Sequence, residues 1–117
     1  MRKQIAAANW KMNLTFQQGE KLLDDILIAN IQLSNDCQVI FAVPFPYLIM
    51  AKSEIEEEKN YAVAAQNCSD QKPGAYTGEV SVEMLSSIGI SHCIIGHSER
   101  REYYHETNSI LAAKVDR

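Results

Sequence analysis

Apolar runs alternate with amphipathic stretches four times along this chain of 117 residues. Ile5-Ala6-Ala7-Ala8 is short and apolar and stops at Asn9. It predicts a strand from its pattern, although alanine adds little strand propensity. Thr15, with Gln18 three residues on, forms a capping box. Leu22, Leu23, Ile26 and Leu27 follow at helical spacing, so a helix is predicted from about Phe16 to about Asn30. Asn35-Asp36 turns the chain into Gln38–Val43, an almost continuous apolar run of the kind covered on both faces. Pro44-Phe45-Pro46 ends that strand, and Pro46 suits the first turn of a helix. Tyr47, Leu48, Ala51 and Ile55 give this helix its apolar side, and Glu54, Glu56, Glu57 and Glu58 its solvated one. Tyr61–Ala65 is the third strand. Ser81 caps a short helix carrying Met84, Leu85 and Ile88, which Gly89 ends. Ile90–Ile95 is the fourth strand. Thr107 caps a last helix with Ile110, Leu111 and Val115 on one side.

Strands opening near Ile5, Gln38, Tyr61 and Ile90 define units of about 30 residues, the size of βα repeats with right-handed crossovers. The polar strings Asn9-Lys11, Gln66-Asn67 and His97-Glu99 each follow a strand directly, so they collect on one face of a parallel sheet. Spacing alone allows two α/β architectures. One is a small open doubly wound sheet. The other is half of a (β/α)8 barrel, whose full length is about 250 residues and whose chemistry sits on that face. The long loop Gln66–Glu79, with Pro73, Gly74 and Gly78, is of a length that compact domains keep for binding.

The length bounds the chain to one small domain, 1–117, with no internal boundary. It is 46% hydrophobic and 22% charged, with a net charge of −4. No run of Lys and Arg exceeds a pair, which argues against nucleic acid as a partner. The opening Met1-Arg2-Lys3-Gln4 is basic, but Asn9 and Lys11 break the apolar run behind it. That run is too short for a signal peptide or a membrane span, and a cytoplasmic location is expected. Cys37, Cys68 and Cys93 are odd in number and none is spaced C-x-x-C, so neither a zinc site nor a disulfide framework is indicated. Cys37 and Cys93 fall in strands and read as buried, reduced thiols, whereas Cys68 in its polar loop reads as partly exposed.

Candidate chemistry gathers at strand ends. Lys11 beside Asn9 offers a cation and an amide to a small anionic, oxygen-rich ligand. Taken alone, it reads rather as a surface lysine next to a helix-capping asparagine. Ile94-Ile95-Gly96-His97-Ser98-Glu99-Arg100-Arg101 runs from a β-branched strand through a glycine into a dense ionisable cluster. His97 stands where a helix begins, which disfavours imidazolium and suits a neutral hydrogen-bond donor. A lone histidine there also fits a structural role. His92 and His105 have no such context. No H-E-x-x-H, P-loop or G-x-S-x-G occurs.

Three strings decide between these readings. Ala8-Asn9-Trp10-Lys11-Met12-Asn13, Gly74-Ala75-Tyr76-Thr77-Gly78-Glu79 and the IIGHSERR string occur in the order and at the separations that resemble the triosephosphate isomerase family, and the resemblance runs from Met1 to Arg117. It implies a TIM (β/α)8 barrel represented by its first four βα units. It also implies interconversion of dihydroxyacetone phosphate and D-glyceraldehyde 3-phosphate through an enediol, in glycolysis and gluconeogenesis, with no metal and no cofactor. By resemblance, Lys11 binds substrate and stabilises negative charge, and Asn9 contacts substrate. His97 is the neutral electrophile, for which this family is itself the standard example. Glu99 supports Lys11, with Ser98 beside the histidine. The loop Gln66–Glu79 reaches into a second subunit with Thr77 at its tip, and Glu79 with Arg100 forms an ion pair at the interface of a homodimer.

The family's base, a glutamate on a later flexible loop, lies beyond Arg117, as do its phosphate-binding loops. No residue here substitutes for them, and Glu106 matches a structural position. Ala112–Arg117 reads as a helix interrupted partway. The expectation is therefore the N-terminal half of an isomerase, inactive alone. The alternative is a non-catalytic half-barrel that self-assembles or binds a phosphorylated ligand without turnover.

Overall fold

The computed structural model describes residues 2–117. Strands β1 (Gln4–Asn9), β2 (Cys37–Val43), β3 (Tyr61–Ala65) and β4 (His92–Cys93) lie side by side in chain order, and every neighbouring pair is parallel. Between and after them run α1 (Phe16–Ile28), a 3₁₀ turn at Phe45–Tyr47 leading into α2 (Leu48–Glu54), α3 (Val82–Ser87), α4 (Ser98–Tyr103) and α5 (Asn108–Val115). The layer is a curled half-barrel, the first four βα units of a (β/α)8 barrel. Its radius of gyration is 15.1 Å, against about 13 Å for a compact chain of this length. A shell open on its concave side accounts for the difference.

Register fixes which residues face which way. Ala8 pairs with Phe41, Phe41 with Val63, and Ala65 with Cys93. Paired residues of parallel strands share a face, and the next residue on each strand takes the other. Phe41, Val43, Val63 and Ala65 on the convex face pack against Leu23 of α1, Leu48 and Ala51 of α2 and Leu85 of α3. The concave face carries mostly small residues, among them Ala7, Ala42, Ala62 and Ala64. Asn9 occupies the same face at the end of β1.

Local signals acted as the sequence indicated. The Thr15 hydroxyl accepts the Gln18 N–H at 3.4 Å and the Gln18 side chain accepts the Thr15 N–H at 2.9 Å. The Ser81 and Thr107 hydroxyls cap α3 and α5 by accepting the Met84 and Ile110 N–H groups, without a return bond. Gly89 ends α3 at φ +78°. The long loop is closed by the Ser69 N–H on the Val80 carbonyl at 2.8 Å and braced internally by the Tyr76 hydroxyl on Gln71. Among the described residues, no helix is long and apolar enough to cross a membrane.

Several expectations are corrected. The fourth strand is shorter than Ile90–Ile95, because the Ile90 N–H is spent on the Leu85 carbonyl as part of the helix ending, at 3.0 Å. α1 stops at Ile28 and Asn30 turns left-handed, φ +48°. Leu22 is exposed, so Leu23 and, in part, Ile26 and Leu27 make the buried side of α1. Val115 and Met84 are also exposed, and on α5 a lysine, Lys114, takes the buried place beside Leu111. Glu54 is half-buried, its carboxyl raised above the ordinary range by a hydrogen bond with Asp24 across the α1–α2 contact. The cysteines are reversed: Cys68 is buried, Cys93 exposed and Cys37 intermediate. Cys93 lies on an edge strand, whereas the loop folds Cys68 back into the core.

Gly96 and Gly78 both hold positive φ, +69° and +92°. A methyl at Gly78 would meet open space, while one at Gly96 would stand 2.8 Å from Cδ1 of the buried Leu111. Gly78→Ala should cost about 1–2 kcal/mol for the backbone alone. Gly96→Ala should cost about 2–5 kcal/mol, because overpacking adds to it. Urea unfolding of the two variants checks this, and equal losses would discount the Leu111 contact.

Candidate functional site

The site is built from three strand ends. Trp10 follows β1, gives its N–H to the Ala42 carbonyl at 3.0 Å and buries its ring in the core. Its Cζ3 approaches so closely that a Cβ on Gly19 of α1 would lie 2.9 Å away. With Trp10 anchored, the chain must reverse sharply, and Lys11 takes φ +57°, a region costly for a residue with a side chain. Two hydrogen bonds hold it there. Asn9 Oδ1 accepts the Lys11 N–H at 2.9 Å, and Gln66 Nε2 donates to the Lys11 carbonyl at 3.0 Å. The same Gln66 nitrogen donates to the Ala42 carbonyl at 3.0 Å, so one amide ties the ends of β1, β2 and β3.

From that backbone the Lys11 side chain reaches Glu99, Nζ to Oε1, at 2.7 Å. The hydrogen bond from Lys11 and its charge hold the Glu99 carboxyl below the usual range. Glu99 belongs to the first turn of α4, whose cap is His97. His97 Nδ1 accepts the Glu99 N–H at 3.1 Å. An accepting Nδ1 carries no proton, so the neutral ring bears its proton on Nε2, which is left to donate. Glu99 Oε2 stands 3.6 Å from Nδ1, too far for a hydrogen bond.

Asn9, Lys11, His97 and Glu99 thus line one cleft of about 380 Å³, with Gln66, Arg100 and Tyr103 on its walls. Thr77 and Glu79 are not part of it. Both are exposed on the long loop, which encloses a wider hollow of about 590 Å³ that contains none of the four. Among the described residues no group of three or more His, Cys, Asp or Glu is placed to hold a metal ion.

Behind the cleft is an ionic cluster that sequence reading missed. Lys114 Nζ meets Glu106 Oε2 at 2.6 Å and Asn67 Oδ1 at 2.7 Å, and Arg100 Nε meets the same Glu106 oxygen at 2.9 Å. The Arg100 guanidinium also lies 4.7 Å from the centre of the Tyr104 ring. Glu106 and Lys114 are both buried. Burial raises the Glu106 carboxyl, but the hydrogen bonds and charges of Lys114 and Arg100 outweigh it and hold the group low. The cluster fixes α5 and the loop residue Asn67 against the arginine of α4. A Glu and a Lys eight residues apart, in a helix and its approach, give no pattern by which to find it. Gln66 was visible as a polar residue at a strand end, but its double role was not.

Parallel strands with reactive groups at their C-terminal ends, each delivered by a βα turn, define a (β/α)8-barrel protein seen over its first four units. The sequence model of the triosephosphate isomerase family matches residues 4–117, and the chain belongs to that family. It is 49% identical to the triosephosphate isomerase of Porphyromonas gingivalis over 98% of its own length and 45% of the relative's. Against that of Phocaeicola vulgatus it is 46% identical over the same shares. Against that of Dichelobacter nodosus it is 49% identical over 97% of this chain and 44% of the relative. The chain spans about half the length of the curated relatives it matches.

Glu106→Gln leaves buried Lys114 without its counter-charge and should destabilise the chain by about 3–5 kcal/mol at neutral pH. The native carboxyl titrates below the unfolded one. Its contribution is therefore complete above the unfolded value, about 4.3, and is lost as pH falls through the folded value. Urea unfolding of both proteins should show a large difference at about pH 7 that narrows progressively as pH falls below about 4. A gap that persists into acid would assign the loss to packing.

Proposed function

We propose that this chain supplies the electrophilic half of a triosephosphate isomerase site, acting on dihydroxyacetone phosphate and D-glyceraldehyde 3-phosphate in the cytoplasm. The observation that carries the reading is the tautomer of His97. With Nδ1 occupied by the Glu99 N–H, Nε2–H is a neutral donor for the substrate's carbonyl and hydroxyl oxygens. As a proton leaves the carbon between them, negative charge builds on the carbonyl oxygen. A fixed donor and the nearby Lys11 ammonium stabilise that enediolate more than the neutral ketone, which is the requirement for lowering the barrier. Asn9 holds Lys11 in position and presents its amide to the same ligand. Glu99 orients both, by its side chain to Lys11 and its N–H to His97.

Glu99 is the carboxylate lining the cleft, and its hydrogen bond with Lys11 makes it a poor base. The proton is therefore taken by a carboxylate from the part of the isomerase that residues 1–117 do not span, together with the phosphate-holding loops. We assign the exposed loop with Thr77 and Glu79 to contact with a second copy in a homodimer. There Arg100, which uses only Nε on Glu106, keeps its terminal nitrogens for Glu79.

The test is isomerase turnover by the 117-residue chain, alone and mixed with the complementary C-terminal half of the Porphyromonas gingivalis relative. The chain alone should be silent and the mixture active, and His97→Gln should lower that activity by roughly 10²–10⁴-fold. Activity indifferent to His97→Gln would overturn the assignment. Triose phosphate binding to the mixture without turnover would replace it with a binding module.

A further inference from the structure

Tyr47 ends the 3₁₀ turn that leaves β2. Pro44 and Pro46 each fix a backbone angle there, and the Tyr47 N–H bonds the Pro44 carbonyl at 2.9 Å. The Tyr47 ring packs against the core and meets Phe16 of α1 edge-on, with centroids 6.2 Å apart. Its hydroxyl is thus carried on a rigid post. That hydroxyl donates to the Leu14 carbonyl at 2.8 Å, across 33 positions of sequence. Leu14 is the far end of the short link that begins at Lys11. Both ends are left-handed, with φ +57° at Lys11 and +70° at Leu14. Neither is a glycine, so each conformation has to be held from outside. Asn9 and Gln66 hold the first. Tyr47 holds the second.

We propose that Tyr47 is a positioning residue for Lys11, acting through the Leu14 carbonyl. Only Met12 and Asn13 separate Lys11 from Leu14, and Met12 stands 94% exposed where it lines the cleft. Packing does not steady this stretch. One bond inside it, from Asn13 Nδ2 to the Trp10 carbonyl at 3.0 Å, closes the turn, and its two ends set the rest of its shape. With the hydroxyl gone, Leu14 relaxes toward the right-handed region that residues with a side chain prefer. A rotation there swings the short link, and the Lys11 ammonium leaves Glu99 Oε1, which it meets at 2.7 Å. Tyr47 itself does not line the cleft, so it acts only through Lys11. Its value to turnover rests on the isomerase reading: an ammonium already in place need not be ordered as charge develops on the substrate. Its hold on Lys11 does not rest on that reading.

Tyr47→Phe removes one oxygen and keeps the ring with its packing. The reporter is the Glu99 carboxyl, which Lys11 holds low and the charge of His97 lowers further. Its titration, followed by carboxyl-carbon NMR on the 117-residue chain, needs no activity. Lys11→Met should move it up toward the ordinary value of about 4.3. Tyr47→Phe should move it the same way, over a large part of that distance. Phe16→Leu weakens the ring contact and leaves the hydroxyl, and should titrate as the native chain does. In the mixture with the complementary C-terminal half, Tyr47→Phe should lower kcat/KM by roughly tenfold, less than the about 10²-fold that a 1 Å displacement can cost. A Glu99 titration unmoved by Lys11→Met or by Tyr47→Phe would overturn the proposal. An equal shift in Phe16→Leu would overturn it too, by assigning the effect to packing. With turnover present, an unchanged kcat/KM in Tyr47→Phe would do the same. A native mixture without turnover would instead sink the isomerase reading, and the titration alone would then decide what Tyr47 does.

Discussion

Everything in the cleft depends on one constrained backbone, the left-handed turn at Lys11. A lysine does not adopt φ +57° without support, and three neighbours supply it. Trp10 is fixed by burial, Asn9 bonds the Lys11 amide, and Gln66 bonds its carbonyl. Because Gln66 also grips Ala42, the turn is tied to the sheet rather than to a loop. Strain is held here by a rigid scaffold, which keeps a flexible side chain near a single position.

The histidine is organised by a different device. His97 is not placed by packing but by its role as a helix cap. One ring nitrogen completes α4, and the other is freed in a defined protonation state. Gly96 makes the turn that permits this. The place of its missing side chain is filled by Leu111 of the following helix, so the turn that carries His97 and α5 are packed together. The ionic cluster of Arg100, Glu106 and Lys114 joins the same elements from the other side.

Much of this was legible in the sequence where the signal is local. Caps at Thr15, Ser81 and Thr107, the stop at Gly89 and the order of strands follow from a few adjacent residues each. The candidate site was legible because three strings each fall at the end of a strand, and the parallel topology then brings Asn9, Lys11, His97 and Glu99 together. What could not be read depends on neighbours distant in the chain. Leu22 and Val115 fit helical patterns as well as Leu23 and Leu111, and only the packing of whole elements tells them apart. Cys93 sits in an apolar string yet on an edge strand, and Cys68 sits in a polar loop that folds inward. Lys114 is buried because Glu106 and Asn67 wait for it, and no pattern of hydrophobicity announces a partner.

Trp10 stands between Asn9 and Lys11 and is the chain's single tryptophan. Its indole is in the core while the residues on either side of it, Asn9 and Lys11, line the cleft. The protein therefore carries a built-in fluorophore whose emission senses the packing of the core directly beneath the cleft residues. Exposure of the ring to water reports unfolding of the core to which the Lys11 turn is tied. No dye or label is needed to follow it.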